Sequence, residues 1–272
     1  MRAYRLAFLL LVASSFGPAW PQASDGNPDL VLGIQAYQNA KYEEAARNLE
    51  RAVAVEPENV QAHHFLTKTY AQEYIPGSSE VLNLQNGNAA IREYKKVLEL
   101  EPTNLDATKS LAQVFFNMKE LDQAIEVDRK AIEINPKDPE PYYSIAVVEW
   151  TQTYQPRMKQ RAKLKLRVEQ PLIFAAECWT MRQANWERVA DGIEMLKKAI
   201  DLRRDYDDAM AYMNLMYRER ADVQCDDPRA QALDLKAADE WVGMTLAVKK
   251  RKAESQHGAK LKSGQQTRLS VE

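Results

Sequence analysis

The chain has 272 residues, 45% of them apolar and 28% charged, with only 9 glycines and a mean hydropathy of −0.53. The apolar content can supply a core, and the glycine content falls well short of the roughly 7% of an average protein, a balance that favours helices over a turn-rich β fold. The net charge of −2 excludes a chain dominated by one sign, although residues 249–272 hold seven Lys and Arg against two Glu while residues 20–248 hold 28 basic against 37 acidic.

At the N-terminus, Arg2 and Arg5 precede the apolar run Leu6 to Val12, and the small-residue site Gly17-x-Ala19 follows it. This is the pattern of a secretory signal, residues 1–19, with cleavage expected after Ala19. The run is shorter than the roughly 20 residues that span a bilayer, and no other segment is a candidate, so no integral membrane span is expected after signal removal. No Cys stands near the cleavage point, so a lipid anchor is not indicated. The mature protein is expected in the periplasm or outside the cell. In such an oxidising place the two cysteines, Cys178 and Cys225, have one intramolecular pairing open to them. Two separate buried thiols are the other reading.

From Leu32 onward the sequence repeats itself. The segments Ala45 to Pro57, Ala90 to Pro102 and Ala124 to Pro136 share one template of Ala, a large or apolar residue near the fourth following place, a small residue three later, then Pro. Each segment is preceded by a second helical pattern, led by Leu32-Gly33-x-x-Ala36-Tyr37, Leu66-Thr67-x-x-Tyr70 and Leu111-Ala112-x-x-Phe115, and Ile145-Ala146-x-x-Glu149-Trp150 opens a further one. These predict paired helices. Gly33, Ala112 and Ala146 on the first helices, and Ala45, Ala90 and Ala124 on the second, let two axes approach while bulkier neighbours at i+3 and i+4 fill the flanks. Pro57, Pro102 and Pro136 stop the second helix, and Asn59, Asn104 and Asp138 follow as N-caps of the next.

The pattern resembles the tetratricopeptide-repeat (TPR) family, W-x2-L-G-x2-Y, then A-x3-F, then P, at a period of about 34, and one such period separates Pro102 from Pro136. The match is closest over Asp29 to Pro57 and Asp106 to Pro136. The fold expected is all-α, an α-solenoid of about five helix-turn-helix repeats with a helical insertion in the fourth, spanning residues 20–248.

Three departures interrupt the period. Residues 73–86 hold the turn cluster Pro76-Gly77-Ser78-Ser79. After Trp150 the next second helix is Gly192-Ile-Glu-Met-Leu196-x-x-Ala199, and Ala199 lies two whole periods beyond Ala131. A helical excursion over 151–188 is preferred to a degenerate repeat at 157–182, because Arg157, Lys159, Arg161, Lys163, Lys165 and Arg167 put a charge at every other place and leave no apolar face. The run is expected to be a solvated face. A final repeat begins at Met210, carries an insertion near 221–231 and ends in a helix over Ala232 to Val248. Residues 249–272 lack apolar clusters and are expected to be a disordered basic tail.

Motifs for chemistry are scarce. His63 and His64 are adjacent on a helix and face different ways, so they cannot share a metal as an i, i+4 pair does. No Cys-x-x-Cys and no glycine-rich phosphate loop occurs, so no metal and no cofactor is expected. Asp205, Asp207 and Asp208 precede a helix and suit its dipole.

The resemblance implies a binding protein, not an enzyme. The first helix of each pair lines the concave wall in TPR solenoids, which by the family pattern places Tyr37, His64, Lys68, Gln113, Phe116, Tyr143, Trp150 and Arg218 toward a protein or peptide partner. Ile34, Val147 and Leu215 share that wall or pack between repeats. Relatives that grip a terminal carboxylate use paired Lys and Asn; Leu30 and Ile34 stand at the matching places, so that clamp does not carry over. Nucleic acid is not an expected partner of an exported chain. The basic run 157–167 and the tail could make weak contact with an anionic surface. An enzyme site in the 151–190 insertion, where Cys178, Trp179 and Trp186 gather, is the alternative.

Overall fold

The computed structural model describes residues 26–167, 170–173 and 176–269, with 256–269 followed through the backbone alone. The expected export signal lies outside the described residues. Among these, ten helices and no strand occur, and they pair in chain order: α1 (Pro28–Gln38) with α2 (Tyr42–Val55), α3 (Val60–Glu73) with α4 (Val81–Leu100), α5 (Leu105–Asn117) with α6 (Leu121–Ile134), α7 (Pro139–Lys163) with α8 (Glu177–Leu202), and α9 (Asp207–Asp222) with α10 (Pro228–Leu269). Every helix packs on its successor, and α1 also reaches α3 and α7 reaches α9. This is the nearest-neighbour stacking of an α-solenoid, as the repeat spacing predicts.

The turns between pairs are set by a few residues. Helices α2, α4 and α6 stop just short of Pro57, Pro102 and Pro136, because the residue before a proline is pushed out of the helical region. The next helix is then capped by the Asn59, Asn104 or Asp138 side chain, which accepts from the backbone N–H of Ala62, Ala107 or Glu140 at 2.9–3.0 Å, so one otherwise orphaned donor is satisfied each time.

The small residues sit where the axes cross. Ala45, Ala90, Ala124 and Ala146 are wholly buried, and Ala112 is nearly so. A Cβ on Gly33 would lie 2.5 Å from Leu49 Cγ and 3.3 Å from the Leu49 backbone nitrogen. Gly33→Ala should therefore wedge α1 away from α2 and cost about 1–3 kcal/mol. Urea denaturation measures this, and an unchanged midpoint would contradict so close an approach.

The irregular segments differ from expectation in informative ways. The residues added near 73–86 divide between a short loop at 74–80 and extra turns on the front of α4. Gly77 adopts a left-handed φ of +86°, and the buried Asn83 side chain pins the loop by accepting from Ile75 N at 2.6 Å and donating to the carbonyls of Ile75 and Ser78 at 3.0 Å. The 151–188 excursion is a lengthening of both members of the fourth pair, joined through residues 164–176. Near 221–231 only residues 223–227 leave the helices.

Two expectations are corrected. The basic run is not a solvated face throughout: Arg161 is buried with Nη1 2.8 Å from Asp222 Oδ2, and Arg157 Nε lies 3.1 Å from Glu219 Oε2. Positions 157 and 161 are one helical turn apart, so the alternation of charges hides an inward-facing i, i+4 pair. The tail is not structureless either, since α10 continues to Leu269. Lys, Arg, Ala, Glu and Gln are good helix formers, they extend a helix already nucleated, and Lys252 Nζ anchors to Asp207 Oδ1 at 2.5 Å.

Candidate functional site

The first helices of successive pairs bring most of the expected wall residues onto two adjoining cavities. His64 and Lys68 of α3 face Asp106, Lys109, Ser110 and Gln113 of α5 across a cavity of about 360 Å³. Lys109 and Gln113 also line a second cavity of about 310 Å³, with Ala112 and Phe116 of α5, Asp128 of α6, and Glu140, Pro141, Tyr143, Ser144, Val147 and Val148 of α7. His64, Lys68, Gln113, Phe116 and Tyr143 thus share one stretch of surface running from α3 to α7.

The other three wall residues are elsewhere. Tyr37 packs edge-on against Phe65, ring centroids 5.6 Å apart, at the periphery of the first core cluster. Trp150 stacks on Tyr154 at 4.7 Å and meets Tyr212 at 5.5 Å, and its Nε1 is buried without a hydrogen-bond partner. Arg218 donates to Asn214 at 2.9 Å and pairs with Asp239 of α10 at 2.7 Å. Ile34 packs at the edge of the first core cluster, whereas Val147 lines the second cavity.

The electrostatics of the second cavity centre on residues that the repeat pattern does not single out. Lys109 Nζ donates to Asp138 Oδ2 at 2.9 Å and to Glu140 Oε2 at 2.6 Å. Burial pulls the Lys109 ammonium down, but these two hydrogen bonds outweigh it and hold its pKa above the ordinary lysine value. Burial keeps the Tyr143 phenol above its ordinary value, where it stays neutral; its ring packs 5.1 Å from Tyr206 and 5.5 Å from Tyr212. His64 is held below the ordinary histidine value by burial and by Lys68, which favours a neutral ring. Asp128 is buried at 3% exposure, and burial raises its carboxyl to about 8 against a small opposing pull from Lys109. The signal that could have found it is the buried stripe Ala124, Val127, Asp128, Ala131, in which one carboxyl occupies an apolar place.

His63 is buried, with Nδ1 2.6 Å from Glu93 Oε2 and Nε2 2.9 Å from the Pro57 carbonyl, which is a structural arrangement. In the 151–190 segment Cys178 and Cys225 are joined as a disulfide, Cα atoms 5.7 Å apart, so Cys178 offers no thiolate to attack a substrate. Trp179 and Trp186 border a surface hollow formed from one side of α8, where Arg182 lies 3.8 Å over the Trp186 ring. No described helix is long and apolar enough to cross a membrane.

Residues 30–66 and 84–146 match tetratricopeptide-repeat family models. Among solved structures the fold is similar to that of MamA, with a TM-score of 0.56 at 18% identity over 82% of this chain and 97% of that one. A MamA from Desulfovibrio magneticus RS-1 gives 0.54 at 16% identity over 82% and 94%. YrrB, a TPR protein with an unusual peptide-binding site, gives 0.51 at 13% identity over 83% and 92%. Among curated proteins the chain is similar to the Homo sapiens protein O-mannosyl-transferase TMTC3, 25% identical over 187 residues, which is 67% of this chain; it spans only 19% of that protein's length. The chain carries tetratricopeptide repeats and folds as a solenoid of that class.

Proposed function

We propose that this chain is an extracytoplasmic scaffold that binds a protein or an extended peptide along the wall formed by α3, α5 and α7, and that it acts by binding rather than by catalysis. The observation that carries the reading is the convergence of His64, Lys68, Gln113, Phe116 and Tyr143, from three successive first helices, on two adjoining cavities. A rigid wall with aromatic and charged anchors is what an extended ligand needs, because the cost of ordering falls on the ligand alone. The N-terminal signal pattern supports export, and a disulfide suits an oxidising compartment.

Peptides selected from a random displayed library on the full chain test the binding surface. Phe116→Ala should weaken the selected peptides about tenfold or more, the usual effect of truncating an aromatic anchor, whereas Arg47→Ala on the outer side of α2 should leave them unchanged. Fluorescence anisotropy reads both. Equal loss in the two variants, or none in either, would remove this wall as the binding surface. Export is tested separately by fusing residues 1–25 to a reporter that is active only outside the cytoplasm.

A further inference from the structure

Asp128 has no structural reason to be where it is. It stands in the inward stripe of α6, where its neighbours Ala124, Val127 and Ala131 are apolar. It is 3% exposed, and it forms no hydrogen bond or ion pair among the described residues, in contrast to the other buried acids Glu149, Glu219, Asp222 and Asp234, each of which has an arginine. A buried carboxyl without a partner costs stability. This one is not sealed in, however, because it lines the cavity of about 310 Å³.

The surroundings specify what would satisfy it. Lys109, the one cation among the described residues that line the cavity, is already engaged by Asp138 and Glu140, so the cavity is short of positive charge. Apolar and aromatic side chains, Phe116, Tyr143 and Val147, line the same cavity. A volume of about 310 Å³ is at the small end of ligand clefts, which run roughly 300–1,000 Å³, and suits one long side chain better than a cofactor. Aliphatic stem on apolar wall and cationic head on buried carboxylate is the arrangement that lysine and arginine side chains favour.

We infer that the cavity is a specificity pocket for a lysine or arginine side chain of the bound peptide, with Asp128 as the group that reads the positive charge and Glu140 as its second acceptor at the rim. This rests on the binding reading given above and adds the identity of one ligand position. It carries a proton linkage. The titratable groups that line the cavity with Asp128 are Lys109 from α5 and, from α7, Glu140 and Tyr143, and Asp138 reaches it only through Lys109. Lys109 is held charged and Tyr143 neutral, so neither changes state between pH 6 and 8. With its pocket empty, Asp128 keeps its proton until about pH 8. A cation alongside stabilises the carboxylate, so binding expels that proton, and affinity rises with pH until about 8 and then levels.

The test uses the full chain and four small probes: N-acetyl-arginine amide and N-acetyl-lysine amide, with the citrulline and norleucine amides as their uncharged counterparts. Titration is followed by amide and carboxyl chemical shifts at pH 6.5 and 8.5. The charged probes should bind saturably, at least tenfold more tightly than their counterparts and about tenfold more tightly at pH 8.5 than at 6.5. Asp128→Asn should abolish both preferences, and it removes a buried ionisable group without changing volume. Should that variant fail to fold, Glu140→Gln on the exposed rim and the pH dependence of the wild type decide instead: a reduced preference in the one and the stated rise in the other support the pocket, and their absence overturns it. Charged and uncharged probes binding alike, or no probe binding, also overturns it. Library peptides that depend on Phe116 but show neither a Lys/Arg preference nor a response to Asp128→Asn would defeat the pocket while leaving the binding wall intact.

Discussion

Replacing Arg161 with alanine is expected to cost about 3–5 kcal/mol of folding stability at pH 8, far more than a surface arginine would. Its guanidinium is buried between α7 and α9, with Nη1 2.8 Å from Asp222 and Nη2 donating to the carbonyls of Arg167 at 2.6 Å and Gln170 at 2.8 Å. It therefore ties the long α7 both to α9 and to the start of the connection leading to α8. Beside it Arg157 lies 3.1 Å from Glu219 and 3.4 Å from Asp222, so two cations face two buried acids. Removing Arg161 leaves two carboxylates against one guanidinium in a largely buried site, and the stranded charge dominates the loss.

The pH dependence gives a second reading of the same cluster. Burial raises Glu219 from 4.5 to about 7, with Arg157 and Arg161 holding it down and Asp222 pushing it up. A carboxyl whose folded pKa is raised favours folding while protonated, so its unfavourable contribution is absent below about pH 4.5 and grows as pH rises to about 7. Without Arg161 the Glu219 carboxyl moves higher still, and the decline extends to more alkaline pH. Urea denaturation of Arg161→Ala at pH 5 and 8 should show the larger deficit at pH 8. A loss below about 1 kcal/mol at both would mean that the pair behaves as an exposed one.

Removing the disulfide should be comparably damaging. Cys178 and Cys225 are 47 residues apart in sequence, and the chain-entropy relation gives about 4 kcal/mol for a closed loop of that length. Both sulfurs are buried, so reductant alone should act slowly on the folded protein, and Cys178→Ser/Cys225→Ser is the cleaner comparison. The bond ties the first turn of α8 to the loop between α9 and α10, where Asp226 N donates to the Ile173 carbonyl at 3.0 Å and Arg182 Nη1 to the Val223 carbonyl at 2.7 Å. A small apolar cluster of Leu172, Met181 and Val223 lies beneath. Since a solenoid passes strain only between neighbours, hydrogen exchange in the double variant should accelerate around 164–181 and 223–227 while α1 to α6 stay protected. Uniform acceleration along the whole chain would contradict that local effect.

What is legible in the sequence is whatever depends on spacing along the chain. The small residues Gly33, Ala45, Ala112 and Ala124, the stopping prolines and the caps Asn59, Asn104 and Asp138 specify helix pairs because each acts on residues within a turn or two of itself. Sequence pattern also places His64, Lys68, Gln113, Phe116 and Tyr143 on one wall, since a repeat carries its register from pair to pair. It fails where a side chain's role depends on a distant partner. Arg157 and Arg161 of α7 read as solvated because Glu219 and Asp222 stand two helices further along, on α9. Tyr37, Trp150 and Arg218 have partners that the repeat pattern does not reveal, Phe65, Tyr154 and Asp239. The tail is misread for another reason: its lack of apolar clusters argues against a packed core, but not against lengthening a helix that Lys252 already fixes to Asp207.

The most direct test of a binding wall on the first helices is hydrogen exchange of the full chain with and without a library-selected peptide. New protection is predicted in α3, α5 and α7, centred on residues 64–68, 109–116 and 140–147. Protection confined to α2, α4, α6 and α8 would contradict it.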